Sequence, residues 1–291
     1  MRAPSRELAL RVIAASSMCA IGGCAPPPPE DCGSIDAADV QLSAGSLRPS
    51  RIRIEQALVG APDASATDAA IVVVSADLPP ADYGDASPAY VPYLAQSWGG
   101  CRREHFGDPA PLMTAGTITL HTALGDAPIQ PDCDGRNCSY HAVVPGELPS
   151  ASGIEVIAPG GAYPAFTAMG SAPGSIVVDA PIVSSPGVVA LRTSQPLEVR
   201  WHGDCLDSVI VRIESSFSIG HWPIARIECV FPGSQHVASI PADVVSDLPV
   251  DSPVAVTVAS ANIVTQSAGP TGVREMIVER TALRAAGYVV P

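Results

Sequence analysis

The sequence has no lysine, and aromatic residues make up only 4% of it. All 16 basic residues are therefore arginines, which we interpret as the codon bias of a GC-rich genome rather than as a functional signal. Without lysine, Ser-x-x-Lys catalysis and the lysine of a nucleotide-binding P-loop are excluded. The motifs G-x-S-x-G, H-E-x-x-H and G-x-G-x-x-G are also absent. No motif therefore places the chain among the common hydrolases, metalloproteases or dinucleotide-binding enzymes.

The N-terminus fits a secretory signal peptide that ends at a lipidation site. A positively charged start is provided by Arg2, Arg6 and Arg11, and residues 12–23 form a short apolar stretch. This stretch is about half the ~20 residues that a membrane-spanning helix needs. Ile21-Gly22-Gly23-Cys24 resembles a bacterial lipobox, in which the cysteine receives diacylglycerol. The alternative is an ordinary cleaved signal with a coincidental cysteine.

We expect residues 1–23 to be removed, so that the mature chain begins at the lipidated Cys24. Residues 24–35 contain four consecutive prolines, which favour an extended, stiff stalk. Ala25 rather than an aspartate follows the cysteine, and by analogy with characterised lipoproteins this favours the outer membrane. The predicted location is therefore exported and lipid-anchored, facing the periplasm or the cell exterior.

The charge of the mature chain limits its partners. Removal of the leader leaves 13 arginines against 28 acidic residues, a net charge of −15. Such an acidic surface repels nucleic acid and anionic lipid head groups, so neither is an expected partner. The expected contacts are the membrane, through the lipid, and another envelope or surface protein. The sequence leaves the oligomeric state open.

Six cysteines remain once Cys19 leaves with the leader and Cys24 is lipidated: Cys32, Cys101, Cys133, Cys138, Cys205 and Cys229. An even number in an exported chain favours three disulfides. Cys133 and Cys138 flank the turn dipeptide Asp134-Gly135, which predicts a stapled hairpin. Cys205 and Cys229 fall in one predicted domain, and Cys32 and Cys101 then pair by elimination. Because C-x2-C pairs are absent, no metal site is expected.

Residues 36–183 are predicted to form an N-terminal sandwich-like domain with long loops. Residues 51–55 alternate strictly, which directs Ile52 and Ile54 towards a core. The apolar run at residues 71–74 predicts a strand that is buried on both faces, and residues 79–111 are expected to be irregular. Further strands are predicted at residues 117–123, 140–144, 154–158, 166–169 and 175–178.

Residues 187–291 are predicted to form a second domain, which follows a domain boundary near residues 183–187 with residues 184–187 as the linker. Seven short strands are expected at residues 188–192, 197–202, 209–214, 225–231, 236–240, 254–259 and 273–280. Seven strands in about a hundred residues are typical of an immunoglobulin-like sandwich. Val209, Val211 and Ile213 alternate with Arg212 and Glu214, which predicts one buried and one solvated face.

The same alternation places Leu197, Val199 and Trp201 on one face of a strand and Glu198, Arg200 and His202 on the other. Residues 241–249 predict one helical turn that begins near Pro241 and is closed by proline. The fold class predicted for the chain is therefore all-β, with two β-sandwich domains after a signal peptide and a proline-rich stalk.

Several segments carry a resemblance to known proteins. They are Gly160 to Thr167, Ala172-Pro173, Ile176 to Val178, Leu197 to Trp201, Arg226 to Phe231 and Ile240 to Pro249. Together they resemble uncharacterised lipoproteins of myxobacteria and similar GC-rich bacteria, over about residues 115–259. The resemblance implies the lipid anchor and the β-sandwich fold, and it assigns no functional residue.

Two polar segments are weak candidates for chemistry. Trp201-His202-Gly203-Asp204-Cys205 pairs an imidazole with a carboxylate that could transfer protons, but a loop with its own hydrogen bonds is the favoured interpretation. Residues 132–137 resemble the opening of a calcium loop, where a disulfide-closed turn is favoured. No catalytic residue and no cofactor are predicted.

Exposed tryptophan is the usual platform of a glycan-binding module. Trp201 is expected to face the core, because side chains alternate along its strand. Trp98 is expected to pack against Cys101. Trp222 lies in a predicted loop and is the candidate ligand contact. The favoured function is a non-enzymatic, lipid-anchored binding or scaffolding protein, and a glycan-binding module and a hydrolase with an unrecognised active site are the alternatives.

Overall fold

Strands dominate the structure wherever it describes the chain. A computed structural model describes residues 50–59, 69–79, 96–98, 100–105, 112–135, 137–181, 188–203, 206–216, 223–246, 248–267 and 273–291. The first nine strands are β1 Ser50–Val59, β2 Ala69–Asp77, β3 Gln96–Trp98, β4 Cys101–His105, β5 Ile118–Thr122, β6 Gly125–Ile129, β7 Pro131–Asp134, β8 Asn137–Pro145 and β9 Gly153–Ala158. They are followed by β10 Phe166–Ser171, β11 Val177–Ala180, β12 Val188–Arg192, β13 Leu197–His202, β14 Ser208–Ser216, β15 Pro223–Pro232, β16 Val237–Ile240, helix α1 Ala242–Ser246, β17 Pro253–Ser267 and β18 Val273–Val290.

These strands form one large and two small sheets. The large sheet has the order β3-β4-β15-β14-β17-β18-β1-β2-β8-β7, and β12 also pairs with β18. The small sheets have the orders β10-β9-β5-β6 and β11-β13-β16. Each small sheet covers a different part of one face of the large sheet, because side chains of both small sheets share hydrophobic cores with the large one. The molecule is therefore built of packed β-sheets.

The strand order of residues 188–291 is that of an immunoglobulin-like sandwich. Within this range the described strands are β12 to β18, in the seven positions that the sequence predicts. Strands β14, β17 and β18 are neighbours in one sheet, and β13 pairs with β16 in the other. Immunoglobulin domains place strands C, F and G in one sheet and B and E in the other, in the same chain order. The predicted all-β, immunoglobulin-like fold class is confirmed.

Two hydrophobic cores lie beneath the large sheet. The first surrounds the buried Trp201, whose indole donates a hydrogen bond to the carbonyl of Gly233 at 3.0 Å. The second contains Ile52 and Ile54, both fully buried as their alternation predicts. Burying aliphatic side chains of this size is worth roughly 1.5–3 kcal/mol each. The two cores account for most of the buried apolar side chains that the structure describes.

Strand β18 contributes to both cores because its alternation changes at a bulge. Met276 and Val278, at even positions, pack in the second core, whereas Leu283, Ala285 and Val289, at odd positions, pack in or against the first. The pairing with β17 shifts register between Val258 and Ala259, which leaves one extra residue in β18. A bulge of this kind reverses the face to which the following side chains point.

The predicted domain boundary at residues 183–187 lies outside the described residues, so the division into two domains stays a prediction. The two cores do lie mainly on either side of that point in the sequence. Strands from both sides nevertheless share the large sheet, because β1 pairs in parallel with β18 over Ser50–Gln56 and Arg274–Arg280. Any such division therefore runs across a continuous hydrogen-bonded sheet.

Two predictions for the first half of the chain are wrong. In the run 71–74 of β2, Val72 and Val74 are buried, whereas Ile71 and Val73 are half-buried. The reason is that β2 has one face on the second core and the other on a partly open surface. The segment 79–111 was predicted to be irregular, but it contains β3 and β4. Their few apolar residues carry little strand signal, and pairing with β15 places β4 in the sheet.

The disulfides also depart from the prediction in part. Cys133 pairs with Cys138 across the β7–β8 hairpin, as predicted. Cys101 pairs with Cys229, so the predicted pairings of Cys229 with Cys205 and of Cys101 with Cys32 are wrong. The two cysteines are directly opposite on β4 and β15, with Cα atoms 3.9 Å apart. Cys32 and Cys205 lie outside the described residues, as do the predicted signal peptide, Cys24 and the stalk.

The structure contains one short α-helix in its described ranges, and α1 follows Pro241 as the sequence predicts. Amides of Val244 and Val245 donate to the carbonyl of Pro241 at 3.1 and 3.3 Å. Within these ranges no helix has both the length and the apolar character needed to span a membrane.

The Cys101–Cys229 bond should stabilise the whole fold. It joins residues 128 apart in sequence, against 5 for Cys133–Cys138, and loop-closure entropy grows with that separation. We expect the double variant Cys101→Ala/Cys229→Ala to lower the free energy of unfolding by about 2–5 kcal/mol in guanidinium denaturation. The matched control Cys133→Ala/Cys138→Ala should lose less. Titration of a free thiol at Cys229 in the native, oxidised protein would refute the pairing.

Candidate functional site

The large sheet curls strongly towards the face opposite the two cores. Arg53 on β1 and Glu228 on β15 are separated by three strands, yet a guanidinium nitrogen lies 2.7 Å from a carboxylate oxygen. In a flat sheet the two strands would be about 19 Å apart, from a spacing of about 4.8 Å between neighbours. Arg102 on β4 and Glu275 on β18 meet in the same way at 3.4 Å. This face is therefore concave.

Charged side chains of opposite sign fill the centre of the concave face. We call them the ion cluster: Arg51, Arg53, Arg102, Arg212, Glu228, Glu275 and Glu279. Glu228 accepts hydrogen bonds from Arg53, Arg102 and Arg212 at 2.7, 2.5 and 3.5 Å. Glu279 accepts from Arg212 at 2.6 Å. Since an unpaired charge is very costly to bury, each carboxylate of the cluster is bonded to at least one guanidinium.

The prediction that one face of β14 is solvated is wrong, because the ion cluster lies there. The predicted inward side chains Val209, Val211 and Ile213 are buried, but Arg212 is only 5% exposed. The curl brings β1 close to the far face of β14, so charged side chains there meet each other rather than water. The corresponding prediction for β13 is confirmed, since Glu198, Arg200 and His202 are exposed there.

A small apolar cluster lies beside the charges on the same face. It consists of Ile210, Val230, Ala261 and Ile277, with Ile263 packed against it. These residues alternate with core-facing residues along their strands, so they lie on the concave face. This face therefore has both an apolar and an ionic part. The low-dielectric surroundings strengthen each ion pair of the cluster.

Burial and neighbouring charges shift the pKa values of three carboxyl groups on the concave face, one downwards and two upwards. Burial raises the pKa of Glu228, but Arg53 and Arg102 outweigh it and hold that pKa well below its usual range. Burial raises the pKa of Glu279 despite the opposing Arg53. Burial and the neighbouring Glu279 raise the pKa of Glu55. Glu55 and Glu279 lie directly opposite each other on β1 and β18, and like charges placed so are destabilising.

A polar pocket of about 230 Å³ opens on the concave face. Five of its lining residues are arginines: Arg51, Arg53, Arg212, Arg226 and Arg284. The other described lining residues are Glu55, Ser75, Asp77, Glu214 and Thr257. Six different strands contribute these residues, so the pocket exists only in the folded sheet. Sequence reasoning missed it because its residues are spread over more than 200 positions, and only the curl brings them together.

Hydrogen bonds fix several of the pocket side chains. Arg226 donates to Glu214 at 2.6 Å, and Thr281 donates to Glu55 at 3.0 Å. Arg53 and Arg212 are fixed by the ion cluster beneath the pocket. Arg284 is exposed and makes no ion pair with a described carboxylate. The pocket therefore combines fixed guanidiniums with one solvent-facing arginine, Arg284.

The candidate residues from the sequence do not converge on this pocket. His202 pairs with Asp179 on β11 at 2.9 Å, and both side chains are largely exposed. Asp204, Cys205 and Trp222 lie outside the described residues. Cys133 and Cys138 close the β7–β8 hairpin with a disulfide, as in the favoured interpretation. Trp98 pairs with Cys101 in the β3–β4 hairpin through its backbone.

The arrangement of potential metal-ligating side chains gives no support to a metal site. In the part of the chain that the structure describes, no three His, Cys, Asp or Glu side chains are grouped so that they could hold a metal ion. The carboxylates of the ion cluster are instead bonded to guanidiniums.

Comparison with known proteins adds little to this geometry. A solved structure of fibronectin(III)-like modules of Clostridium thermocellum CbhA is similar at 9% sequence identity, covering 79% of this chain and 87% of that chain, with a TM-score of 0.18. A TM-score this low supports neither a fold nor a function. No family profile and no curated protein matches the chain. The immunoglobulin-like assignment therefore depends on the strand order described above.

Removal of one carboxylate from the ion cluster should be far more damaging than removal of an exposed one. Glu228→Gln leaves Arg53 and Arg102 buried without their common partner, and breaking a buried pair in this way costs about 3–5 kcal/mol. The matched control is Glu198→Gln, which removes an exposed pair with Arg200 and should cost about 0–1 kcal/mol. Chemical denaturation of both variants measures the difference. Equal effects would mean that the buried pairs contribute little.

The raised pKa of Glu55 predicts a pH-dependent stability. At pH values between the ordinary carboxyl pKa and the raised one, Glu55 binds a proton in the folded state but not in the unfolded state. The free energy of unfolding should therefore rise as pH falls from neutral through that window. The groups that face Glu55 are Glu279, Arg53, Arg284 and Thr281. Glu228 acts in the opposite sense, and its contribution is lost only as pH falls below the ordinary carboxyl pKa.

We expect Glu55→Gln to reduce the rise in stability, because glutamine has no proton to gain. Thermal or urea unfolding at several pH values between neutral and mildly acidic measures the slope. Glu198→Gln, at its exposed position, is the control and should leave the slope unchanged. A slope that is identical in wild type and Glu55→Gln would show that the carboxyl does not titrate in this window.

Proposed function

We propose that the protein is an exported, lipid-anchored and non-catalytic β-sandwich protein with a binding or scaffolding role in the cell envelope. Its location follows from the predicted lipobox at Cys24, and the resemblance to lipoproteins of GC-rich bacteria is in accord with it. The predicted outer-membrane location and the envelope partner are parts of the same proposal.

The Cys101–Cys229 disulfide carries the proposal of export. Both cysteines are buried, at 3% and 0% exposure, and they join parts of the chain that are far apart in sequence. Such a bond forms and persists in oxidising compartments outside the cytoplasm. The hairpin disulfide Cys133–Cys138 supports the same conclusion. Together they favour folding of the chain after translocation.

The chemistry of the polar pocket favours binding over catalysis. Arginine remains protonated at all physiological pH values, so the five guanidiniums cannot act as general bases. Glu214 is held by Arg226 at 2.6 Å, so its carboxylate is already engaged in an ion pair. The glycan-binding alternative rests on Trp222, outside the described residues, and no described aromatic side chain lines the pocket.

Replacing Cys24 by serine tests the lipid anchor. Serine cannot receive the thioether-linked diacylglycerol, so Cys24→Ser should move the protein from the membrane to the soluble fraction after cell fractionation. Cys32→Ser is the matched control, since it removes a nearby cysteine outside the lipobox and should leave the protein in the membrane fraction. Unchanged membrane partitioning of Cys24→Ser would remove the lipid anchor from the proposal.

A further inference from the structure

Positive charge is concentrated in the polar pocket. The sequence has 16 basic residues and a net charge of −13, yet five of those arginines line one pocket of about 230 Å³. Three carboxylates line the same pocket, namely Glu55, Asp77 and Glu214. The lining is thus cationic on a strongly acidic protein.

The ion cluster explains why some of these arginines are present, but not all of them. Arg53 and Arg212 neutralise the buried Glu228 and Glu279. Two further arginines line the pocket: Arg226 pairs with Glu214, and Arg284 is exposed. Charge balance within the buried cluster therefore does not require Arg284.

The pocket also has many more donors than acceptors. Each guanidinium carries five N–H donors and no acceptor. The carboxylates that neutralise Arg53 and Arg212 are at 0% exposure and do not line the pocket, so those two acceptors lie beneath the guanidiniums. A ligand that complements such a lining supplies oxygen acceptors and negative charge.

The size and polarity of the pocket restrict the ligand further. Its volume is below the ~300–1,000 Å³ of pockets that hold drug-sized molecules, and every described lining side chain is charged or carries a hydroxyl. The lining therefore favours a small, polar ligand. Ser75 and Thr257 add hydroxyl groups that can bond to a second polar group of the ligand.

We propose that the polar pocket binds a small, oxygen-rich anion with a carboxylate, sulfate or phosphate group, which is held by Arg284 and Arg226 above the fixed guanidiniums of Arg53 and Arg212. Arginine is the side chain best suited to this task, because its planar fork matches two oxygens of such a group. The proposal rests on the binding role proposed above, but it does not depend on the lipid anchor.

Isothermal titration calorimetry of the full chain at low ionic strength tests the proposal. The probes are inorganic phosphate, sulfate, citrate and glucuronate, and glucose is the neutral counterpart of glucuronate because the two sugars differ by the carboxylate. We expect saturable binding of at least one anion and none of glucose. Comparison among the four anions distinguishes a carboxylate ligand from a phosphate or sulfate ligand.

Two pocket variants and one control locate the binding. Arg284→Gln and Arg226→Gln should each weaken the anion at least about tenfold, as expected for loss of a charge-assisted hydrogen bond. Arg200→Gln removes an exposed, paired arginine on β13, outside the pocket, and should leave the affinity unchanged. Far-UV circular dichroism checks that each variant is folded. We expect Arg284→Gln to fold, because the Arg284 side chain is exposed.

Each outcome decides the proposal. Flat titrations with all four anions would overturn it, as would an affinity that is the same in wild type, Arg284→Gln and Arg226→Gln. Anion binding that is lost only in the pocket variants supports it. If the titrations are flat but the protein still depends on Cys24 for membrane partitioning, the anion site is rejected and the lipid anchor stands. If the protein binds an anion but partitions to membranes without Cys24, the anion site stands and the lipid anchor is rejected.

Discussion

The burial of opposite charges on the concave face is the constraint on which the rest of the structure depends. Glu228 and Glu279 are completely buried, and an unpaired carboxylate in that position would be very costly. Their partners come from β1, β4 and β14, so the ion pairs can form only when the sheet is curled and all these strands are in register. The cluster therefore favours one shape of the sheet over flatter alternatives, in which the same charges would separate.

The two hydrophobic cores become parts of one fold because single strands serve both of them. Strand β18 runs for 18 residues, and its bulge turns the apolar side chains of its second half back to the core-facing side. Parallel pairing of β1 with β18 joins a strand from the start of the described chain to one from its end. The Cys101–Cys229 bond adds a covalent link between β4 and β15 in the same sheet.

The polar pocket is a consequence of the same curvature. Arg53 and Arg212 belong both to the ion cluster and to the pocket lining, so the side chains that stabilise the fold also form the floor of the pocket. A floor of guanidiniums held by buried carboxylates is preorganised and loses little side-chain entropy on binding. This arrangement gives an acidic protein a local site of opposite charge.

The sequence by itself determined most of the strands, because alternation of side chains such as Ile52 and Ile54 or Val199 and Trp201 depends only on the period of a strand. It also determined the Cys133–Cys138 hairpin, whose cysteines are held together by a local turn. Tertiary structure alone decided the partner of Cys229, the burial of Arg212 and the ten side chains of the pocket. Those depend on which strands become neighbours and how far the sheet curls, and neither is encoded within one strand.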